Sequence, residues 1–303
     1  MFKELQENGW KYYIKDNEAY IIGVPDADET TLFVPESIGG YLVVEVVFYM
    51  ASLRGCNSIH LSKNIKYFDA CCLDENLSSI SIDEANEYFS VKNGVLYSKD
   101  FKKIISFPPA KKDFNISCLD GVEIISDGAF CCCDSFVSLV IPDSVKEIGD
   151  FAFARSETLE YIEIPDSVDK VGAAVFCYTP LKNIKLSKNI HILDVSYDAD
   201  AEGEGFFHCC DFENIVLPDG VEEIRKFAFY ECEKLTKIVI PQSVKIISDL
   251  AFEACNNLEE IIVDKENKYF YTTQKGLYDA NNKLIFKYNI TKREYKHMKN
   301  LWL

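Results

Sequence analysis

A chain of 303 residues, 48% hydrophobic and 27% charged, is long enough to bury a substantial core as one elongated unit or two ordinary domains, and no proline-rich or glycine/serine-rich tract marks a linker. The formal net charge is −17 and lysine and arginine form no clustered stripe, which argues against binding nucleic acid or an anionic membrane by counterion release. No apolar run approaches the roughly 18 residues of a membrane span, and the opening MFKELQENGWKYY lacks the apolar stretch of a signal peptide; the sequence as written implies a cytoplasmic protein, with the cell surface or secretion as the alternative if an export signal was removed.

In chain order, WKYYIKDNEAYIIGV alternates apolar and polar residues around Asp16-Asn17, which predicts a hairpin within an N-terminal cap over residues 1–33. A repeating frame follows. It is clearest in IPDSVKEIGDFAFARSETLEYIE from Ile141, IPDSVDKVGAAVFCYTPLKNIK from Ile164, LPDGVEEIRKFAFYECEKLTKIV from Leu217 and IPQSVKIISDLAFEACNNLEEII from Ile240. CLDGVEIISDGAFCCCDSFVSLV from Cys118 fits the same frame, as do degenerate copies from Val34 and Leu61 and an interrupted one from Leu186. Self-similarity at this period marks a solenoid whose coils cannot bury their apolar sides alone.

Within each coil the order L-x-x-I-x-I-P recurs, as in Leu159, Ile162, Ile164 and Pro165. The alternation predicts one short strand per coil. The proline ends it, having no N–H for the ladder. A small or turn-forming residue follows at Ser144, Ser167, Asn189, Gly220 and Ser243. An Ala-Phe pair then recurs at Ala129-Phe130, Ala152-Phe153, Ala228-Phe229 and Ala251-Phe252, with Val175-Phe176 as a variant. Equivalent residues of stacked coils touch, so these rings are expected to form a buried column, and truncating one to alanine to cost roughly 3–5 kcal/mol.

The cysteines follow the same period. Three residues past the phenylalanine stand Cys133, Ser156, Thr179, Cys210, Cys232 and Cys255, a buried slot for a small, weakly polar side chain. The triplet Cys131-Cys132-Cys133 thus reads as a slot residue with two neighbours. No paired C-x-x-C motif supports structural zinc, although a bound metal or a disulfide between coils stays open as the lesser reading.

These motifs resemble the BspA-like, bacterial-type leucine-rich-repeat family over about residues 34 to 290. The resemblance implies a β-rich solenoid of repeats of about 23 residues with a concave parallel sheet, binding rather than catalysis, and frequent surface display. A second duplication, NEYFSVKNGVLYSKDFKKIISFP from Asn86 and NKYFYTTQKGLYDANNKLIFKY from Asn267, predicts two β-hairpins, a recurrent accessory of such proteins. The expected layout is a solenoid over 34–265, carrying an inserted hairpin at 86–113 and an acidic insertion at 194–205, closed by a C-terminal hairpin and cap over 266–303 in which MKNLWL packs beside the hairpin.

The four histidines, His60, His191, His208 and His297, have no nucleophile and carboxylate at a triad spacing, and no phosphate-binding loop occurs, so neither a reaction nor a cofactor is expected. In the acidic insertion Asp198, Asp200, Glu202 and Glu204 supply oxygen ligands suited to Ca²⁺. Cys209 stands where a calcium loop needs its bidentate glutamate, however, and a solvated acidic loop is the competing reading. The predicted partner site is the outward row of strand residues: Ser138, Val140, Tyr161, Glu163, Asn183, Lys185, Asn214, Val216, Lys237, Val239, Glu260 and Ile262. Scattered apolar positions on a polar sheet suit a protein or peptide ligand, although β-branched residues also favour strands for their own sake. The expected function is therefore a non-catalytic interaction scaffold, with a carbohydrate-binding adhesin as the alternative.

Overall fold

A computed structural model describes residues 3–25, 30–47, 56–69, 73, 75–196 and 204–288. The chain is a β-solenoid whose sole helical element among the described residues is the 3₁₀ turn Ile116–Leu119. It divides into two compact units, Met1–Val137 with Ser144–Thr158, and Ser138–Asp143 with Leu159–Leu303.

In the first unit the strands Trp10–Lys15 and Glu18–Gly23 pair antiparallel. Asp16 and Asn17 turn the chain between them with φ of 52° and 63°, a left-handed pair that short polar residues tolerate. Glu18–Gly23 then pairs parallel with Tyr41–Val46, which carries the cap into the first coils. Thr31–Phe33, Ser58–Leu61 and Ser79–Ile82 form a parallel sheet in the register Thr31↔Ser58↔Ser79. The segment from Asn86 makes a three-stranded antiparallel meander, Phe89–Lys92, Val95–Ser98 and Lys103–Ser106. Its last strand pairs parallel with Ile124–Ile125, and that with Glu147–Ile148.

In the second unit Ser138–Val140, Tyr161–Glu163 and Asn183–Lys185 form one parallel sheet, and Asn214–Val216, Lys237–Ile240 and Glu260–Val263 another. Each coil also adds a two-residue strand on a second edge, as in Ile192–Leu193, Glu223–Ile224 and Ile246–Ile247. Gly220 occupies the turn column where other coils use serine or asparagine because a Cβ there would lie 1.6 Å from the Lys188 carbonyl oxygen. The segment from Asn267 repeats the meander as Phe270–Thr273, Gly276–Asp279 and Leu284–Lys287. The C-terminal MKNLWL lies outside the described residues.

The aromatic column exists within each unit. Phe107, Phe130 and Phe153 stack with centroids 5.5 and 5.3 Å apart, the latter pair only 8° from parallel. Phe176, Phe207, Phe229 and Phe252 follow at 5.9, 5.2 and 5.4 Å. All seven are buried. Coil spacing near 5 Å is the distance between strands of a sheet, so backbone hydrogen bonding and ring stacking set the same repeat.

The cysteine column is explained by one hydrogen bond made coil after coil. Cys133 donates its thiol proton to the Phe107 carbonyl at 3.3 Å, Ser156 its hydroxyl to Phe130 at 2.9 Å, and Cys210 its thiol to Phe176 at 3.3 Å. Cys232 and Cys255 do the same to Phe207 and Phe229, at 3.0 and 2.8 Å. Each slot demands a short donor, so cysteine and serine interchange. Burial pushes the thiols of Cys133, Cys210 and Cys232 well above the ordinary range, which keeps the donated proton in place. The Thr179 hydroxyl, in the same column, lies 3.5 Å from the Cys177 carbonyl.

Candidate functional site

A strand with one face in the core turns every second side chain outward, and parallel pairing in register aligns those side chains from coil to coil. In the second unit this makes two rows. The first runs Ser138↔Tyr161↔Asn183 and, in the next sheet, Asn214↔Lys237↔Glu260. The second runs Val140↔Glu163↔Lys185 and Val216↔Val239↔Ile262.

The two sheets differ in chemistry. On the first, Lys185 Nζ lies 2.5 Å from Glu163 Oε1, and the Tyr161 hydroxyl donates to Glu163 Oε2 at 3.3 Å. The Lys185 ammonium holds the Glu163 carboxyl below the usual carboxylate range. Val140, 54% exposed, stands beside this charged cluster and is separated by it from the later valines. On the second sheet Val216, Val239 and Ile262 are consecutive, with Val216 69% and Ile262 37% exposed. Lys237 and Glu260 pair at 3.2 Å along the neighbouring row, beside Asn214. The four apolar members of the predicted row, Val140, Val216, Val239 and Ile262, are thus an isolated Val140 and a contiguous apolar strip of three.

The first unit has a related face. Phe33, 61% exposed, lies in register with His60 and Ser81, its ring 5.4 Å from the imidazole. His60 Nδ1 and the Ser81 hydroxyl are 2.9 Å apart.

Of the acidic insertion, Asp198, Asp200 and Glu202 lie outside the described residues. Val195–Ser196 and Glu204–Gly205 pair antiparallel at its base. Glu204 Oε2 accepts from the Cys177 thiol at 3.5 Å.

Sequence reasoning missed one cluster. The residues two places past each phenylalanine, Tyr178, Cys209, Glu231 and Ala254, all take left-handed backbone conformations, with φ of 56°, 59°, 55° and 59°. Their side chains therefore leave the turn in the same direction. Cys209 donates its thiol to Glu231 Oε2 at 3.4 Å, and His208 Nε2 lies 3.9 Å from the same oxygen. Burial first, and Glu231 second, push the Cys209 thiol up to about 12. The usable signal was the 22-residue interval from Cys209 to Glu231, one repeat length. The interrupted coil before it concealed the frame.

The family described as BspA type leucine rich repeat region matches this chain in six copies, over residues 110–197 and 202–300. No curated protein matches it. Among solved structures, a leucine rich cell surface protein from Faecalibacterium prausnitzii is similar at 17% identity, covering 86% of this chain and 95% of that one, with a TM-score of 0.39. A leucine-rich repeat protein from Eubacterium ventriosum shows 14% identity over 84% and 83% of the two chains, with a TM-score of 0.46. One from Bacteroides ovatus shows 18% identity over 87% and 77%, with a TM-score of 0.42. No helix among the described residues is long and apolar enough to cross a membrane.

Proposed function

Because the chain belongs to the BspA-type leucine-rich-repeat family, we propose that it is a non-catalytic scaffold that binds a protein or peptide on the strand face of its second unit. The observation that carries this reading is the strip Val216, Val239 and Ile262. Three β-branched residues stand in consecutive register on an outward face, two of them more than a third exposed, and a polar row of Asn214, Lys237 and Glu260 runs beside them. An apolar centre with a hydrogen-bonding rim is the composition of a protein interface. Strand propensity alone would account for β-branched residues at these positions but gives no reason for the apolar ones to be adjacent.

Photo-cross-linking from Val239, with retention of the cross-linked protein by the intact chain and by a Val216→Asp, Val239→Asp variant, tests the proposal. The expected result is one protein partner cross-linked at Val239 and lost from the variant, while the variant keeps its circular dichroism and melting curve. Equal retention by both chains would overturn it. Glycan binding without protein capture would favour the carbohydrate reading, with Tyr161 and its polar neighbours as contacts.

A further inference from the structure

We propose that His208, Cys209 and Glu231 form a binding site for a zinc-type divalent transition metal, separate from the strand face and independent of what that face binds. The three donor atoms, an imidazole nitrogen, a sulfur and a carboxylate oxygen, all lie within 4.8 Å of one another. Glu231 Oε2 is the shared vertex, 3.4 Å from the sulfur and 3.9 Å from the nitrogen. A tetrahedral zinc with bonds of about 2.3 Å to sulfur and about 2.0 Å to oxygen or nitrogen sets such atoms roughly 3.3–3.5 Å apart. The sulfur–oxygen edge already has that length, and the nitrogen–oxygen edge reaches it by a shift of about half an ångström.

The fold brings the three donors close together and holds His208 most firmly. His208 is buried, its ring 4.5 Å from that of Tyr178 and 4.8 Å from that of Tyr230, the latter edge-on. Cys209 follows it directly in the chain. Glu231 occupies the position of Cys209 one coil later, and the left-handed turn common to both residues aims their side chains to the same side. The Cys209 N–H donates to the Tyr230 carbonyl at 2.9 Å, which locks the two coils together at this point. His208 therefore has few rotamers left to freeze when a metal enters, and the ordering cost falls on the partly covered Cys209 and the exposed Glu231.

The donor set selects the ion. One soft thiolate, one imidazole and one carboxylate suit Zn²⁺ or Co²⁺, whereas Ca²⁺ and Mg²⁺ require oxygen throughout. On binding, the Cys209 S–H bond breaks and its proton passes to solvent as the sulfur–metal bond forms. His208 and Glu231 contribute lone pairs without a change of oxidation state. Cys209 is only partly covered and Glu231 is exposed, which leaves the fourth position of the tetrahedron to water.

Titration of the reduced 303-residue chain with Co²⁺, followed in the visible and near-ultraviolet, tests the site. One equivalent should produce the intense d–d bands of tetrahedral cobalt with a sulfur-to-cobalt charge-transfer band, and Zn²⁺ should bleach both. Cys209→Ser should lose the charge-transfer band, and Glu231→Gln should bind at least about tenfold more weakly, the loss that removing even a partner behind a metal ligand causes. Cys232→Ser, in a buried slot that also holds serine, should leave the spectrum unchanged. Absence of a one-equivalent site, or an unaltered spectrum in Cys209→Ser with its circular dichroism intact, would overturn the proposal.

Discussion

Replacing Asn86 by alanine removes a four-way connection that the duplicated NEYF and NKYF segments share. Asn86, 1% exposed, donates through Nδ2 to the carbonyls of Ser62 and Ile65 at 3.2 and 2.8 Å. Its Oδ1 accepts from the backbone N–H groups of Tyr88 and Phe89, both at 2.8 Å. The side chain thus ties one coil to the first strand of the meander that follows. Asn267 repeats the arrangement, with Nδ2 to the Pro241 and Val244 carbonyls and Oδ1 from the Tyr269 and Phe270 N–H groups, all between 2.9 and 3.0 Å. At about 1 kcal/mol for each net hydrogen bond, and more for buried groups stripped of a partner, Asn86→Ala should cost roughly 3–5 kcal/mol. Asn267 is less buried, and water can replace part of what it loses, so Asn267→Ala should cost less. Urea unfolding gives the magnitudes. Hydrogen exchange gives the location, with protection falling first at Tyr88, Phe89 and the strand Phe89–Lys92. A cost below about 1 kcal/mol for Asn86→Ala, with unchanged exchange at Tyr88 and Phe89, would refute the reasoning.

Two further outcomes follow from the thiol column. The Phe207 carbonyl accepts both the Cys210 N–H at 3.1 Å and the Cys232 thiol at 3.0 Å, so Cys232→Val removes one of two bonds and should cost about 0.5–1.5 kcal/mol by urea unfolding. Cys232→Ser keeps a donor, as Ser156 does in its own coil, and should cost less than the valine. The folded-state pKa values of Cys133, Cys210 and Cys232 are raised, so their contribution is complete below the unfolded thiol pKa and lost as pH rises through the folded values. Above about pH 9 the unfolded chain releases these protons first, and stability should fall by about 4 kcal/mol per pH unit for the three together. Urea midpoints between pH 8 and 10 measure this. The triple serine variant should show a flatter profile, and an unchanged slope in that variant would contradict the assignment.

What the sequence revealed was whatever repeats as a side-chain type. Prolines at strand ends, the Ala-Phe pair and the cysteine–serine slot recur because each coil meets the same neighbours, and from them the strand positions and the aromatic column could be placed. The family resemblance and the matched residues 110–197 and 202–300 agree on the same architecture. Features set by backbone conformation left no such trace. Left-handed turns are occupied by Cys132, Arg155, Tyr178, Cys209, Glu231 and Ala254, which share no single side-chain type, so the alignment of Cys209 with Glu231 was hidden. The second-edge strands are two residues long, too short for an alternation to register. Asn86 and Asn267 were visible as the first letters of a duplication, but their role depends on carbonyls more than 20 residues away. On the strand face the outward residues could be enumerated, whereas the break that isolates Val140 depends on the Glu163–Lys185 pair.

Coils stacked in register around an aromatic column position the strand face of the second unit, and a double-mutant cycle within that unit tests the stacking most directly. Phe229 and Phe252 are neighbours at 5.4 Å, while Phe176 and Phe252 are separated by the rings of Phe207 and Phe229. Leucine substitutions at Phe229 and Phe252 should couple by about 0.5–1.5 kcal/mol, and those at Phe176 and Phe252 should add within about 0.5 kcal/mol. Additivity in the adjacent pair, or equal coupling in both pairs, would contradict the stacked column and the strand face that depends on it.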